Sequence, residues 1–248
     1  MPNTSKSKYD YFLDSIGNDS NIQFMNHGYL PINEKLSGSM FDSCASLYMF
    51  FLDKLKDTND LKILDIGCGR GGGTNIIKSY YNFSEIHGCD FSDRSIDFCK
   101  KNYSGIEFSQ ADAESLKLYD DNQFDVVMNV ESSHCYFNIN SFFKEVDRVL
   151  KPNGKFLYVD VFKTPIGNEN TLSKFFNIQE KFDITESTAS ACEDLTTKIS
   201  DLLSTGVENE KAYVEMHNIY ATKTPYYKTK RLYYLGYILS PRDNSSVG

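Results

Sequence analysis

Tryptophan is absent from the 248-residue sequence, and basic residues are in the minority. Against 26 Lys and Arg stand 34 Asp and Glu, a formal net charge of −8. So acidic a chain offers no basic face to a phosphate backbone, which argues against nucleic acid as its main partner. The small cluster YYKTKR (226–231) reads as solvated surface. Long apolar runs are missing as well. CASLYMFFL (44–52) is the longest, far short of a membrane span, and the opening MPNTSKSKYDYF has no apolar signal-peptide core. The cysteines (Cys44, Cys68, Cys89, Cys99, Cys135, Cys192) form no Cys-x-x-Cys pair, and no histidine stands at zinc spacing. A reduced, cytoplasmic protein without a metal site is expected. What is abundant is 17 Tyr and 18 Phe, core residues first and a source of aromatic pocket walls second.

Between residues 61 and 162 short apolar runs alternate with amphipathic segments, the pattern of strand–helix–strand units on a parallel sheet. LKILDI, EIHGCD, IEFSQAD, FDVVMNV and KFLYVDV read as strands. GTNIIKSYY reads as a helix, and so does SDRSIDFCKKNY, with Ser92 or Asp93 as its N-cap. INSFFKEVDRV is the clearest helix, capped by Asn140 or Ser141 and stopped by KPNG. Beyond it, the pattern suggests helix, strand, helix and a closing strand at RLYYLGYIL. There is no internal repeat, and only the N-terminus and the tail SPRDNSSVG are low in complexity.

The stretch LDIGCGRGGG (64–73) follows the first strand and opens the first helix of this region. It fits two fingerprints at once. Gly67, Gly69 and Gly72 satisfy the dinucleotide G-x-G-x-x-G, while Asp65, Gly67, Gly69 and Gly71 satisfy D-x-G-x-G-x-G. Asp90, ending the second strand, suits ribose hydroxyls under either reading. Asp112 and Ala113 after the third strand suit an adenine, the carboxylate taking the exocyclic amine and the alanine leaving the ring plane clear. A carboxylate at Asp65 would repel a pyrophosphate but can serve a ligand carrying an ammonium and a sulfonium.

With these motifs in order, the chain resembles the class I S-adenosylmethionine-dependent methyltransferases. LDIGCGRGGG, HGCDFS, SQADAESL, FDVVMNVESSHCY and FFKEVDRVLKPNGKFLYVD carry the likeness over about 61–162. It implies a Rossmann-like α/β fold on a seven-stranded sheet with an antiparallel last strand. The implied layout is a helical N-terminal cap (1–60), a cofactor-binding core (61–162) and a substrate lid inserted after strand five, with the last strands (163–248). The implied cofactor is S-adenosyl-L-methionine, bound by Asp65, Gly67, Cys68, Gly69, Asp90, Phe91, Asp112, Ala113 and Asn129. NVESSHCY, MNHGYL and FDITES further resemble the branch of the phthiotriol and phenolphthiotriol dimycocerosate O-methyltransferases, which places Tyr29 of the cap over the cofactor.

The expected reaction is O-methylation of a small hydrophobic acceptor, a polyketide, phenol or lipidic alcohol. Such an acceptor must lose a proton, and His134 in the loop after strand four is the candidate base. Glu131 of the same loop is read as holding the loop or the cofactor end, since a carboxylate is too weak a base for an unactivated alcohol. Cys68 and Cys135 have no triad partners and read as space-filling. C- or N-methylation stays open, as do a non-catalytic cofactor-binding protein and an NAD-dependent enzyme. A homodimer also stays open.

Overall fold

The computed structural model describes residues 11–17, 19–36 and 38–242. Most of the polar opening stretch and of the tail lie outside these residues. Helical residues 11–16 (α1) and α2 (Asp42–Leu52) precede the sheet. The core then runs β1 (Lys62–Ile66), α3 (Gly72–Tyr80), β2 (Glu85–Asp90), α4 (Asp93–Asn102), β3 (Glu107–Gln110), β4 (Phe124–Val130), α5 (Ile139–Val149) and β5 (Leu150–Phe162). A short α6 (Glu169–Leu172), β6 (Phe176–Asp183), the long helices α7 (Thr185–Ser204) and α8 (Glu210–Lys228), and β7 (Tyr233–Pro241) complete the chain.

The seven strands form one sheet in the order β3-β2-β1-β4-β5-β7-β6. Neighbours from β3 to β5 are parallel, and β7 is antiparallel to both β5 and β6. The chain winds outward from β1 to β3 and then crosses to β4 on the other side of β1. The carboxyl ends of β1 and β4 therefore flank a topological switch point, where open α/β sheets bind their ligands. Apolar side chains cover both faces, as buried parallel strands require.

Local chemistry sets the element ends. Ser92 caps α4 by accepting from the Ser95 N–H. For α5 the cap is Asn138, two residues earlier than expected, because its extended backbone lets the side chain accept from the N–H groups of Asn140 and Ser141. The segment KPNG does not separate helix from strand: β5 already includes it, with a register shift against β4 between Phe124 and Val126. The two longest helices lie between β6 and β7, not directly after strand five. Only the loop and short α6 occupy 163–175.

The N-terminal cap is bound tightly to the core. Arg70 of the glycine loop donates to the carbonyls of Gly17 and Asp19, and its guanidinium stacks 3.6 Å from the centre of the Phe98 ring. Nearly every residue of α2 is buried. Its Phe51 lies on Gly236 of β7, where an added Cβ would come within 2.0 Å of the ring. Since Phe51 is fully buried, Gly236→Ala should cost about 1–3 kcal/mol as an overpacked core. Urea denaturation measures the loss, and Phe51→Val in the same chain should recover part of it.

Candidate functional site

The glycine loop is tied to β2 from below. The N–H groups of Gly67 and Cys68 donate to the Cys89 carbonyl at 2.7 and 3.0 Å. The Gly69 N–H donates to Asp90 Oδ2 at 2.9 Å, and the Ser92 N–H reaches Oδ1 at 2.9 Å. Burial pushes the Asp90 carboxyl upward, while these backbone donors pull it back. Such an arrangement needs Gly67 and Gly69 at φ of 72° and 54°. Asp65 lies deeper. Its Oδ2 accepts from the Thr74 hydroxyl at 2.7 Å, but the fully buried Oδ1 has no partner, and burial pushes the carboxyl up to about 7.

The remaining glycines answer to protein neighbours. Gly71 is the left-handed N-cap of α3. A Cβ on Gly72 would come within 2.6 Å of the Gln23 carbonyl oxygen, and one on Gly73 within 1.9 Å of the Tyr48 ring. The cap therefore rests directly on the loop. Even at Gly67 the Cβ direction is taken, by Ser132 Oγ at 2.3 Å. The Cys68 side chain packs beneath the loop with Ile96, Cys99 and Phe108, leaving only its backbone to face a ligand.

At the ends of β2 and β3, Phe91 is 51% exposed and Asp112 is exposed, while Ala113 between them and the core is buried. Asn129, ending β4, donates to the Ile66 carbonyl at 2.8 Å and to the hydroxyls of Ser132 and Tyr136. Its Oδ1 is buried without a partner.

The loop after β4 sends His134 and Glu131 in opposite directions. His134 Nδ1 sits 2.7 Å from Asp160 Oδ1, and the His134 N–H donates to Oδ2 at 2.9 Å. Asp160 also accepts from the Ser133 hydroxyl and the Val161 N–H and is fully buried. Burial alone would make the His134 ring a weaker base, but the Asp160 carboxylate outweighs it and holds the imidazole well above its ordinary value. In return, the His134 charge outweighs burial at Asp160 and keeps that carboxyl below its usual range. The His134 side chain remains 44% exposed. It lines a pocket of about 350 Å³ together with Ile139, Phe162, Lys163, Thr164 and Asn168.

Glu131 is not in that pocket. It adopts a positive φ of 49° and turns inward, with Oε1 2.6 Å from His27 Nδ1. Its Oε2 accepts from the His27 N–H and the Tyr234 hydroxyl. Tyr227 of α8 contacts the same His27 nitrogen at 2.8 Å. Glu131 thus joins cap, β4 loop, α8 and β7 in one buried cluster, which removes it from the side of His134. Tyr29 is likewise engaged elsewhere: its ring packs 4.5 Å from Phe50, and its N–H donates to the Ser43 carbonyl.

Asp160 as the partner of His134, and His27 as the partner of Glu131, are the functional contacts that sequence reasoning missed. A signal existed for the first. FLYVDV (156–161) carries one charge in an otherwise apolar strand, and pairing of Val130 with Val159 puts Asp160 beside the β4 loop. Among the described residues, no group of three or more His, Cys, Asp or Glu is placed to hold a metal ion, and no helix is long and apolar enough to cross a membrane.

Comparison with known proteins agrees with this architecture. Residues 64–158 match the sequence model of a methyltransferase domain. The chain is 37% identical over 148 residues to a fatty-acid O-methyltransferase of Mycolicibacterium smegmatis, covering 57% of this chain and 54% of that protein. It is 35% identical over 159 residues to a phthiotriol/phenolphthiotriol dimycocerosates methyltransferase of Mycobacterium tuberculosis, covering 62% and 58%. The match thus spans little more than half the length of these curated relatives. Geranyl diphosphate C-methyltransferase from Streptomyces coelicolor A3(2), solved with S-adenosyl-L-homocysteine, shares the fold with a TM-score of 0.73 at 15% identity, over 98% of this chain and 99% of that one. Residues 64–158 thus match a methyltransferase domain, and the strand order together with the solved neighbour gives the sheet the class I methyltransferase fold.

Proposed function

We propose that the protein transfers a methyl group from S-adenosylmethionine to an oxygen of a small, lipid-like acceptor. The observation that carries this reading is the His134–Asp160 pair, which faces a pocket at the carboxyl ends of β4 and β5, in the same loop as Ser132, which lies against Gly67 of the glycine loop. Lipid-like acceptors appear in the names of both curated relatives, which supports that part of the proposal.

The residues present fit the cofactor. Two buried acceptor oxygens, Asp65 Oδ1 and Asn129 Oδ1, lack partners at the switch point, and a ligand with an ammonium group would satisfy such atoms. Asp90 still has acceptor capacity for ribose hydroxyls, because a carboxylate offers about four acceptor sites and its backbone donors come from Gly69, Ser92 and Phe91. Phe91, Asp112 and Ala113 would frame the adenine, and the backbone at Gly67, Cys68 and Gly69 would lie along the amino-acid end. When bound, S-adenosylmethionine supplies an electrophilic methyl group on a sulfonium leaving group. The chain's own task is to orient the acceptor oxygen and exclude water.

His134 is the residue assigned to that oxygen. Asp160 fixes the ring through Nδ1, leaving Nε2 for the pocket, and the same carboxylate favours the protonated ring. Nε2 is therefore an N–H donor near neutral pH and a base only above it. Glu131 is assigned to positioning: it clamps the cap and α8 to the β4 loop. C-methylation is the competing chemistry, and the product distinguishes them.

Incubation with methyl-labelled S-adenosylmethionine and a panel of acids, phenols and alcohols should give an O-methyl product, and a C-methyl product would refute the assignment. Asp90→Ala should weaken S-adenosylhomocysteine binding at least about tenfold in calorimetry, the effect of losing hydrogen bonds to a charged acceptor. Because Asp65 takes up a proton near pH 7, that affinity should fall as the pH drops through 7, and the fall should vanish in Asp65→Asn. By NMR, the His134 ring should titrate well above its ordinary value, and Asp160→Asn should bring it back down.

A further inference from the structure

Two hydroxyls sit over the glycine loop beside Asn129. A Cβ on Gly67 would meet both of them, Ser132 Oγ first and the Tyr136 hydroxyl at 2.9 Å. Asn129 Nδ2 lies 2.8 Å from the Ile66 carbonyl, 2.7 Å from Ser132 Oγ and 3.0 Å from the Tyr136 hydroxyl. The two hydroxyls are themselves 2.8 Å apart. A carbonyl can only accept, so Ile66 fixes the amide nitrogen on this side and leaves the buried Oδ1 without a partner on the other.

The hydrogens in this cluster do not balance. One amide hydrogen of Asn129 goes to Ile66, and the other goes to Ser132, the shorter of its two hydroxyl contacts. A phenol donates better than it accepts, so the Tyr136 hydrogen also goes to Ser132 Oγ. Both lone pairs of Ser132 are then filled, and its own hydrogen meets no acceptor among the described residues. Two donors into one oxygen polarise it and strengthen the O–H that remains. Next to it, Asp65 Oδ1 and Asn129 Oδ1 are buried acceptors without donors. Acceptors for an ammonium and a donor for a carboxylate together complement an α-amino acid.

From this arrangement we infer that Ser132 donates its hydroxyl hydrogen to the carboxylate at the amino-acid end of the cofactor, and that Tyr136 is the residue that positions it. The inference rests on the methyltransferase reading above and adds two residues to its cofactor site. The motif likeness assigns neither of them to the cofactor. Tyr136 acts only through Ser132: its hydrogen fills a lone pair of Oγ and so turns the Ser132 O–H away from the protein.

Calorimetry with S-adenosylhomocysteine and its decarboxylated analogue, in which an aminopropyl chain replaces the amino acid, tests this without turnover. The analogue keeps adenosine, sulfur and ammonium and lacks only the carboxylate. S-adenosylhomocysteine should bind the unmodified protein at least about tenfold more tightly, the value of a hydrogen bond to a charged group. Ser132→Ala should remove most of that advantage and leave affinity for the analogue unchanged. Tyr136→Phe should remove a smaller part, again sparing the analogue, whereas a merely structural role for the ring would weaken both ligands alike. Equal affinities in the unmodified protein, an advantage that survives Ser132→Ala, or an equal loss of both ligands in either variant overturns the inference and leaves the methyltransferase reading standing. Unmodified protein that binds neither ligand overturns both.

Discussion

A carboxylate withdrawn from water must be met by donors on its oxygens, and the working end of this protein is organised around that constraint. Three carboxylates at or just past the ends of parallel strands are buried and met. Asp90 after β2 takes backbone N–H groups from the glycine loop and from Ser92. Glu131 after β4 takes the ring and backbone of His27 and the hydroxyl of Tyr234. Asp160 in β5 takes two groups of His134, together with Ser133 and Val161. Each fixes a different piece of chain at the carboxyl edge of the sheet: the glycine loop, the cap with its helix partner, and the pocket histidine.

Asp65 breaks the pattern. One of its oxygens is buried with nothing opposite, and its proton affinity rises accordingly. Against three satisfied neighbours, an orphaned acceptor at the switch point stands out as a place made for a ligand. Asn129 Oδ1 is the second such atom. Satisfied groups hold the frame, and unsatisfied ones face what the frame is built to bind.

The two histidine–carboxylate pairs show how one local motif serves two purposes. His27–Glu131 is sealed on all sides by Tyr220, Tyr227 and Tyr234, whose rings lie about 6 Å away. His134–Asp160 buries only the carboxylate and leaves the ring half exposed at a pocket. The first joins elements distant in sequence, and the second presents a charge-bearing edge to a pocket. Two residues three positions apart in ESSHCY thus diverge because a positive φ at Glu131 turns that side chain inward, while the short helical turn at Ser133–Cys135 carries His134 outward.

Much of this was legible in the chain. Short apolar runs ending in Asp90 and near Asp112, the glycine loop after β1, and the helix FFKEVDRVL follow from local physics, because burial on both faces of a parallel sheet and tight strand-to-helix turns leave few residue types to choose from. The pairing of β6 with β7 was not legible, since IQEKF carries little alternation and its partner lies some sixty residues on. Nor were the reasons for Gly72 and Gly73, which depend on Gln23 and Tyr48 of the cap. The partners of Glu131 and His134 were hidden for the same reason. Sequence determines which residues prefer strand, helix or turn, whereas only the folded chain decides which carboxylate meets which histidine, because those contacts join segments up to about a hundred residues apart.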